Sequence, residues 1–209
     1  MIEEFEKRLL SSIILIPVSI FFIIQGSVFF IFFLGILFLA TSYEWLKMSK
    51  KNNLLKLLGI IFLFFSFYTF YESLNDYYIG IFVLLICVAT DVGGYIFGKI
   101  FKGPKLIKIS PNKTYSGMIG GYFLSLISLS YFLNWINHEI SINWFIVTIL
   151  ISTISQIGDI IISYFKRLSK IKNTGKIIPG HGGLLDRIDG MIFAFPTFYI
   201  IELMGVLSR

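Results

Sequence analysis

The chain is poor in charge and almost empty of cysteine and histidine. Only 14% of its residues are Asp, Glu, Lys or Arg, against about 25% in soluble domains. Its one cysteine, Cys87, lies in an apolar run. A single thiol excludes an internal disulfide, and no Cys/His metal spacing exists. Cys87 reads as a small buried apolar side chain. Internal repeats, coiled-coil heptads and low-complexity linkers are missing. So is the Gly-Lys-Ser/Thr order of a Walker A loop. Lys and Arg are absent around Glu72–Asp76 and around His138–Glu139.

What is abundant is apolar surface, at 56% of residues, gathered in long blocks. A membrane span needs about 20 mostly apolar residues. Seven candidates are Leu9–Ile24, Val28–Tyr43, Leu54–Tyr71, Tyr77–Phe97, Met118–Trp135, Asn143–Phe165 and Ile188–Leu207. The first follows Lys7-Arg8 as a signal peptide would. Gln25-Gly26-Ser27 leads straight into a second apolar block, so the first arm of a hairpin is the better reading. The fold class expected is all-α: a polytopic integral membrane protein of about seven transmembrane helices. N-terminal helices fill 1–75. A second transmembrane domain, 76–209, carries two basic loops, 98–117 and 166–187.

The net charge of +6 would suggest a nucleic-acid partner in a soluble protein. Here its placement points to topology instead. With the N-terminus in the cytosol, every Lys and Arg except Arg209 falls on the inner side. The chain is therefore expected to be multi-pass in the cytoplasmic membrane, without a nucleic-acid partner and with its functional loops facing the cytosol. Loops this long in a compact chain are usually functional or disordered.

Acids within spans are costly and mark functional sites by default. Asp91 lies in "VATDVGGY", Asp159 in "SQIGDIIIS", and Asp186 and Asp189 open the last span. Three helices thus bring four carboxylates to similar depth, and Asp186 and Asp189, three apart, are expected to share one helix face. Capping is the plain alternative for Asp186 or Asp189. The nearby Lys and Arg, or a hard cation such as Mg²⁺, would hold such acids ionised. "SPNKTYSGMIGG", Ser110 to Gly121, supplies Lys113, hydroxyls and a glycine-bearing helix start, all suited to phosphate. A contact with the lipid surface is the competing reading. Lys166-Arg167 reads equally well as an inner-face anchor. His181, in "PGHGG", is a base, a phosphate donor or a turn residue. Together these features point to phosphoryl or nucleotidyl transfer to a lipid.

The run "SYFKRLSKIKNTGKIIPGHGGLLDRID", Ser163 to Asp189, resembles the signature of the phosphatidate cytidylyltransferases, or CDP-diacylglycerol synthases. The signature positions fall on Ser163, Lys166, Arg167, Lys172, Pro179, His181, Gly182, Gly183, Asp186, Arg187 and Asp189. The segment from Thr90 to Gly121 and "QIGD", Gln156–Asp159, are similar to further family elements. The likeness covers Ala89 to Pro196. Typical members are longer, with extra N-terminal spans. Asn173 stands where the family has Asp, and Gly190 where Ser is common.

The resemblance implies that CTP and phosphatidate react to give CDP-diacylglycerol and diphosphate. It implies Mg²⁺ on Asp159 and Asp186, with a second cation and a homodimer also suggested. Lys166, Arg167, Lys172 and Arg187 would neutralise phosphates, and His181 would donate to a phosphate oxygen or shape the turn. Asp189 would join the catalytic set. Ser110, Lys113, Thr114 and Gly117 would bind the nucleotide. Two other readings stand beside it. One is a related CTP-dependent lipid transferase, a polyprenol kinase or an ether-lipid cytidylyltransferase. The other is a cation or proton transporter using Asp91 and Asp159, against which both acids lie near one face.

Overall fold

The computed structural model describes residues 17–19, 21–22, 25, 27–49, 52–75, 77–107, 109–139, 141–175, 177–178, 180 and 182–207. Its elements are α1 (Ser27–Met48), α2 (Asn53–Asn75), α3 (Tyr77–Phe101), β1 (Lys105–Ile107), β2 (Ser110–Thr114), α4 (Tyr115–Trp135), α5 (Ile142–Leu168), α6 (Leu185–Ile188) and α7 (Met191–Leu203). The chain is an all-α polytopic membrane protein. Among the described residues five helices, α1 to α5, are long and apolar enough to cross a bilayer. At 1.5 Å per residue, the 21 residues of α4 reach about 32 Å, matching a hydrocarbon core of about 30 Å. A helix meets every backbone polar group internally, which lipid demands.

The first candidate span, Leu9–Ile24, lies mostly outside the described residues. Two other features differ from the sequence expectation. The segment 98–117 is not a plain loop: α3 runs on to Phe101, and an antiparallel hairpin follows, pairing Lys105 with Thr114 and Ile107 with Ser110. The last span is short. α6 is one turn, Asp189 and Gly190 form a turn, and α7 has only 13 residues with Pro196 inside it. Asp189 therefore follows the end of the helix that carries Asp186.

The chain forms two compact units. The first comprises Met1–Phe67 and Phe165–Ile188, the second Tyr68–Tyr164 and Asp189–Arg209. In the first, the Trp45 indole is 5% exposed, stacks edge-on against Phe165 at 5.2 Å and donates to the Leu55 carbonyl at 3.2 Å. Gly59 leaves the space it fills, since a Cβ there would lie 1.9 Å from the indole ring. Asn52 caps α2, its side-chain oxygen accepting from the Leu55 N–H at 3.2 Å.

The second unit is built on Phe82, Ile86, Phe132, Leu133, Ile151 and Phe198, all buried. Its α3 and α4 meet along a glycine seam. A Cβ on Gly93 would sit 2.3 Å from the Gly120 carbonyl oxygen, and one on Gly117 would sit 2.7 Å from that of Gly94. Gly94 and Gly98, like Gly117 and Gly121, stand four apart, the small-residue spacing by which membrane helices approach closely. Hydroxyl pairs add polar contacts between helices: Thr90 to Ser152 and Tyr122 to Thr153, both 2.9 Å.

Candidate active-site residues

In the first unit, α5 ends in a Schellman turn. The Ile171 N–H donates to the Lys166 carbonyl and the Lys170 N–H to that of Arg167, both at 3.0 Å. Lys170 occupies the left-handed position with φ 56°, where a non-glycine residue costs about 1–2 kcal/mol. The turn sends Lys172, Asn173 and Thr174 back along the unit. Further on, Ile178 and Gly182 exchange backbone hydrogen bonds of 3.0 and 3.1 Å. Gly180 and Gly182 both have positive φ, which explains glycine at those two turn positions.

Asp186 is the focus of this segment. The Lys166 ammonium donates to its Oδ1 at 2.8 Å, and both side chains are largely buried, at 11% and 8% exposure. The N–H groups of Thr174 and Gly183 donate to its Oδ2 at 2.9 and 3.1 Å. Charge-assisted bonds of this kind are the strong ones. Removing one partner of a buried pair typically costs about 3–5 kcal/mol.

Arg167 is exposed and donates to the Ile171 carbonyl at 3.3 Å. Lys172, Asn173 and Arg187 are also exposed. Asn173 and Thr174, with Lys47, Asn52 and Lys170, line a concave cleft of about 930 Å³. His181 lies outside the described residues.

The sequence reading missed Glu44. This acid of α1 is 1% exposed. Its Oε2 accepts from the Thr174 hydroxyl at 2.8 Å and the Leu185 N–H at 2.9 Å, and its Oε1 from the Leu184 N–H at 3.0 Å. The signal was an acid at the end of an apolar run, "TSYEWLK". The predicted span stopped at Tyr43, one residue short of it.

In the second unit, Asp159 on α5 forms an ion pair with Lys113 of β2, the two side chains 31% and 22% exposed. The Ser163 hydroxyl reaches Asp159 Oδ1 at 3.4 Å. Thr114 caps α4: its hydroxyl oxygen accepts from the Gly117 N–H at 3.1 Å, and the Tyr115 N–H donates to the Pro104 carbonyl at 3.1 Å. Two N–H groups of this helix start are thus bound internally. Gly117 is buried in the glycine seam, and Ser110 is half-buried at the start of β2. Asp189 is 8% exposed and accepts from the Gly190 N–H at 3.0 Å. Gly190 is needed locally, since a Cβ there would lie 2.3 Å from the Ser155 hydroxyl and 2.9 Å from its carbonyl oxygen. Asp91 is exposed on α3.

Each unit therefore holds a lysine–aspartate pair. The four carboxylates divide between them, Asp186 in the first and Asp91, Asp159 and Asp189 in the second. Among the described residues no three His, Cys, Asp or Glu side chains gather as a metal cluster. The donor set still fits Mg²⁺, which takes one or two protein carboxylates and completes its shell with water and phosphate oxygens. Asp186 Oδ1 and Asp159 Oδ2 each already hold a cationic ammonium.

Residues 52–204 match the cytidylyltransferase family. A phosphatidate cytidylyltransferase of Rickettsia felis is 34% identical over 208 residues, covering 94% of this chain and 92% of that protein. The proteins of that name from Staphylococcus aureus and Staphylococcus haemolyticus are each 42% identical over 128 residues, 60% of this chain. The chain spans about half the length of these staphylococcal relatives, 48% in each case.

Proposed function

This chain belongs to the cytidylyltransferase family, and we propose that it transfers the CMP unit of CTP to phosphatidate, releasing diphosphate and giving CDP-diacylglycerol. An oxygen of the lipid phosphate attacks the α-phosphorus of CTP. A new P–O bond forms there, and the bond to the β-phosphate bridge oxygen breaks. A phosphate monoester is already anionic near neutral pH, so the chain need not supply a strong base. Its task is to align two polyanions and offset their repulsion, by positioning and electrostatic stabilisation. The match across residues 52–204, which contain both lysine–aspartate pairs, carries this reading.

Lys166, Arg167, Lys172 and Arg187 are the proposed partners of substrate phosphates in the first unit. Ser110, Lys113 and Thr114 are proposed for the nucleotide in the second, and His181 for a phosphate oxygen or the turn. Asp189 is included through its signature position. Mg²⁺ is the proposed cofactor, with Asp186 and Asp159 each a candidate ligand in its own unit. The Asp186 Oδ2 is held by the Thr174 and Gly183 N–H groups, so Oδ1, bonded here to Lys166, would be the atom left to hold the cation. When bound, Mg²⁺ supplies charge neutralisation to the phosphates and to the departing diphosphate. A second cation and a homodimer remain part of the proposal by family likeness alone. The proposed setting is the cytoplasmic membrane, with the basic loops facing the cytosol.

The test uses purified chain, cytidine-labelled CTP, Mg²⁺ and phosphatidate in detergent micelles. Label is expected to enter the lipid phase, with equimolar diphosphate released only when phosphatidate is present. Diphosphate release that is indifferent to phosphatidate, or none at all, would overturn the reading. Turnover on a polyprenol instead would reassign the substrate.

A further inference from the structure

An ionised carboxylate taken out of water is costly unless it is fully bonded. Among the described residues, Glu44 meets that condition through one segment. Its three donors, the Thr174 hydroxyl and the N–H groups of Leu184 and Leu185, all lie between Thr174 and the first residue of α6. The last two are N–H groups at a helix start, which need an acceptor from elsewhere.

The same segment carries Asp186. Thr174 gives its hydroxyl to Glu44 and its N–H to Asp186. Gly183 gives its N–H to Asp186, and a Cβ on it would lie 2.0 Å from the Thr174 hydroxyl and 2.5 Å from Glu44 Oε2. A Cβ on Gly175 would lie 2.3 Å from Glu44 Oε1. Both glycines leave the space the Glu44 carboxylate fills. The two acids thus each bridge Thr174 to the 183–185 stretch, and Asp186 also accepts from Lys166.

We propose that Glu44 is a positioning residue: it sets the Thr174–Leu185 loop in the conformation that presents Asp186 to Lys166, and does so without touching substrate. The inference rests on the proposed transfer reaction. It lies outside the segment 52–204 on which the family match is drawn.

The experiment compares the full chain with Glu44→Gln, Asp186→Asn and the double variant in the micelle assay. Glutamine keeps the size and one acceptor but turns an N–H₂ group toward at least one donor. For Glu44→Gln, kcat is expected to fall by about 10- to 100-fold, the range for leaving a buried group unpaired. KM for CTP should stay within about threefold, since uniform binding is not what is lost. In the Asp186→Asn background the same change should lower kcat by less than about threefold, because the residue it acts through is already disabled. Full multiplicative losses, or a rise in KM with kcat unchanged, would overturn the proposal.

Amide hydrogen exchange supplies an arm independent of turnover. Glu44→Gln should speed exchange at Leu184 and Leu185 by about tenfold or more while leaving α4 protected. Unchanged exchange would sink the tether. A wild-type chain with no turnover would remove the proposed reaction, and the exchange arm would still decide whether Glu44 holds the loop. Should Glu44→Gln not fold, Thr174→Val removes only the hydroxyl donor. A smaller fall in kcat at constant KM is then expected, and wild-type kcat with wild-type exchange would overturn the proposal.

Discussion

Lys113, on the second strand of the hairpin, forms an ion pair with Asp159 on α5. The pair ties a short hairpin to a long apolar helix, and it gives Asp159 a cation before any substrate arrives. Asp159→Ala is expected to lower CTP turnover by about 10²- to 10³-fold, the loss of a proposed metal ligand in a site that must also counter phosphate charge. Circular dichroism in detergent should show the helical fold intact. Near wild-type turnover at ordinary Mg²⁺ would rule out the metal assignment.

Gly183→Ala should be far more damaging than its size suggests. The added Cβ would lie 2.0 Å from the Thr174 hydroxyl and 2.7 Å from the Gly175 backbone nitrogen. Overpacking costs about 1–3 kcal/mol, and here it acts on the loop that carries Asp186. A fall in turnover with a lowered detergent Tm is expected. Gly35→Ala, with nothing within 4 Å of its Cβ, is the control and should change neither.

The glycine seam makes a stability prediction. On Gly120 a Cβ would lie 2.3 Å from the Phe97 Cβ and 2.8 Å from the Gly93 carbonyl, whereas on Gly94 the nearest atom is 3.7 Å away. Gly120→Ala should destabilise by about 1–3 kcal/mol and Gly94→Ala by much less. Thermal unfolding in matched detergent would distinguish them, and equal Tm values would count against the seam.

Asn173 and the Asp186 carboxylate both border Gly182: the Asn173 Cγ and Asp186 Oδ2 are 3.2 and 3.1 Å from the Cβ position of Gly182. Asparagine keeps an acceptor and adds a donor without charge. Asn173→Asp is expected to alter turnover by less than about tenfold, or 1.4 kcal/mol, at saturating CTP and Mg²⁺. A gain of several hundredfold would mean that the missing charge belongs to the catalytic machinery.

The orientation can be checked with reporter fusions. A cytosolic reporter is expected to be active before Met1 and silent after Arg209, because that arrangement keeps every other basic residue inside. Activity after Arg209 would reverse or re-count the spans.

Much of this was legible in the sequence, for physical reasons. Long apolar runs announced an all-helical membrane chain, since the bilayer leaves few alternatives. Lys113, Asp159, Lys166 and Asp186 stood out through the family-like segments, and they form the two lysine–aspartate pairs. The hairpin did not stand out, because its strands have 3 and 5 residues and little alternation. The turn after Ile188 was hidden by unbroken apolar character on its far side. Glu44 was hidden most thoroughly. It sits near Lys47, Lys50 and Lys51 as an interfacial charge would, and two of its three donors are backbone N–H groups that no residue pattern advertises.

Glu44 and Thr174 are 130 residues apart, and that separation has a consequence in time. At roughly 5–20 residues per second, the ribosome makes Glu44 about 7–26 s before its partners. Through that interval none of the three groups that hold its carboxylate in the finished chain has been made. The tether between them is therefore a late event in biogenesis: a nascent chain that ends before Thr174 carries the acid without any of them.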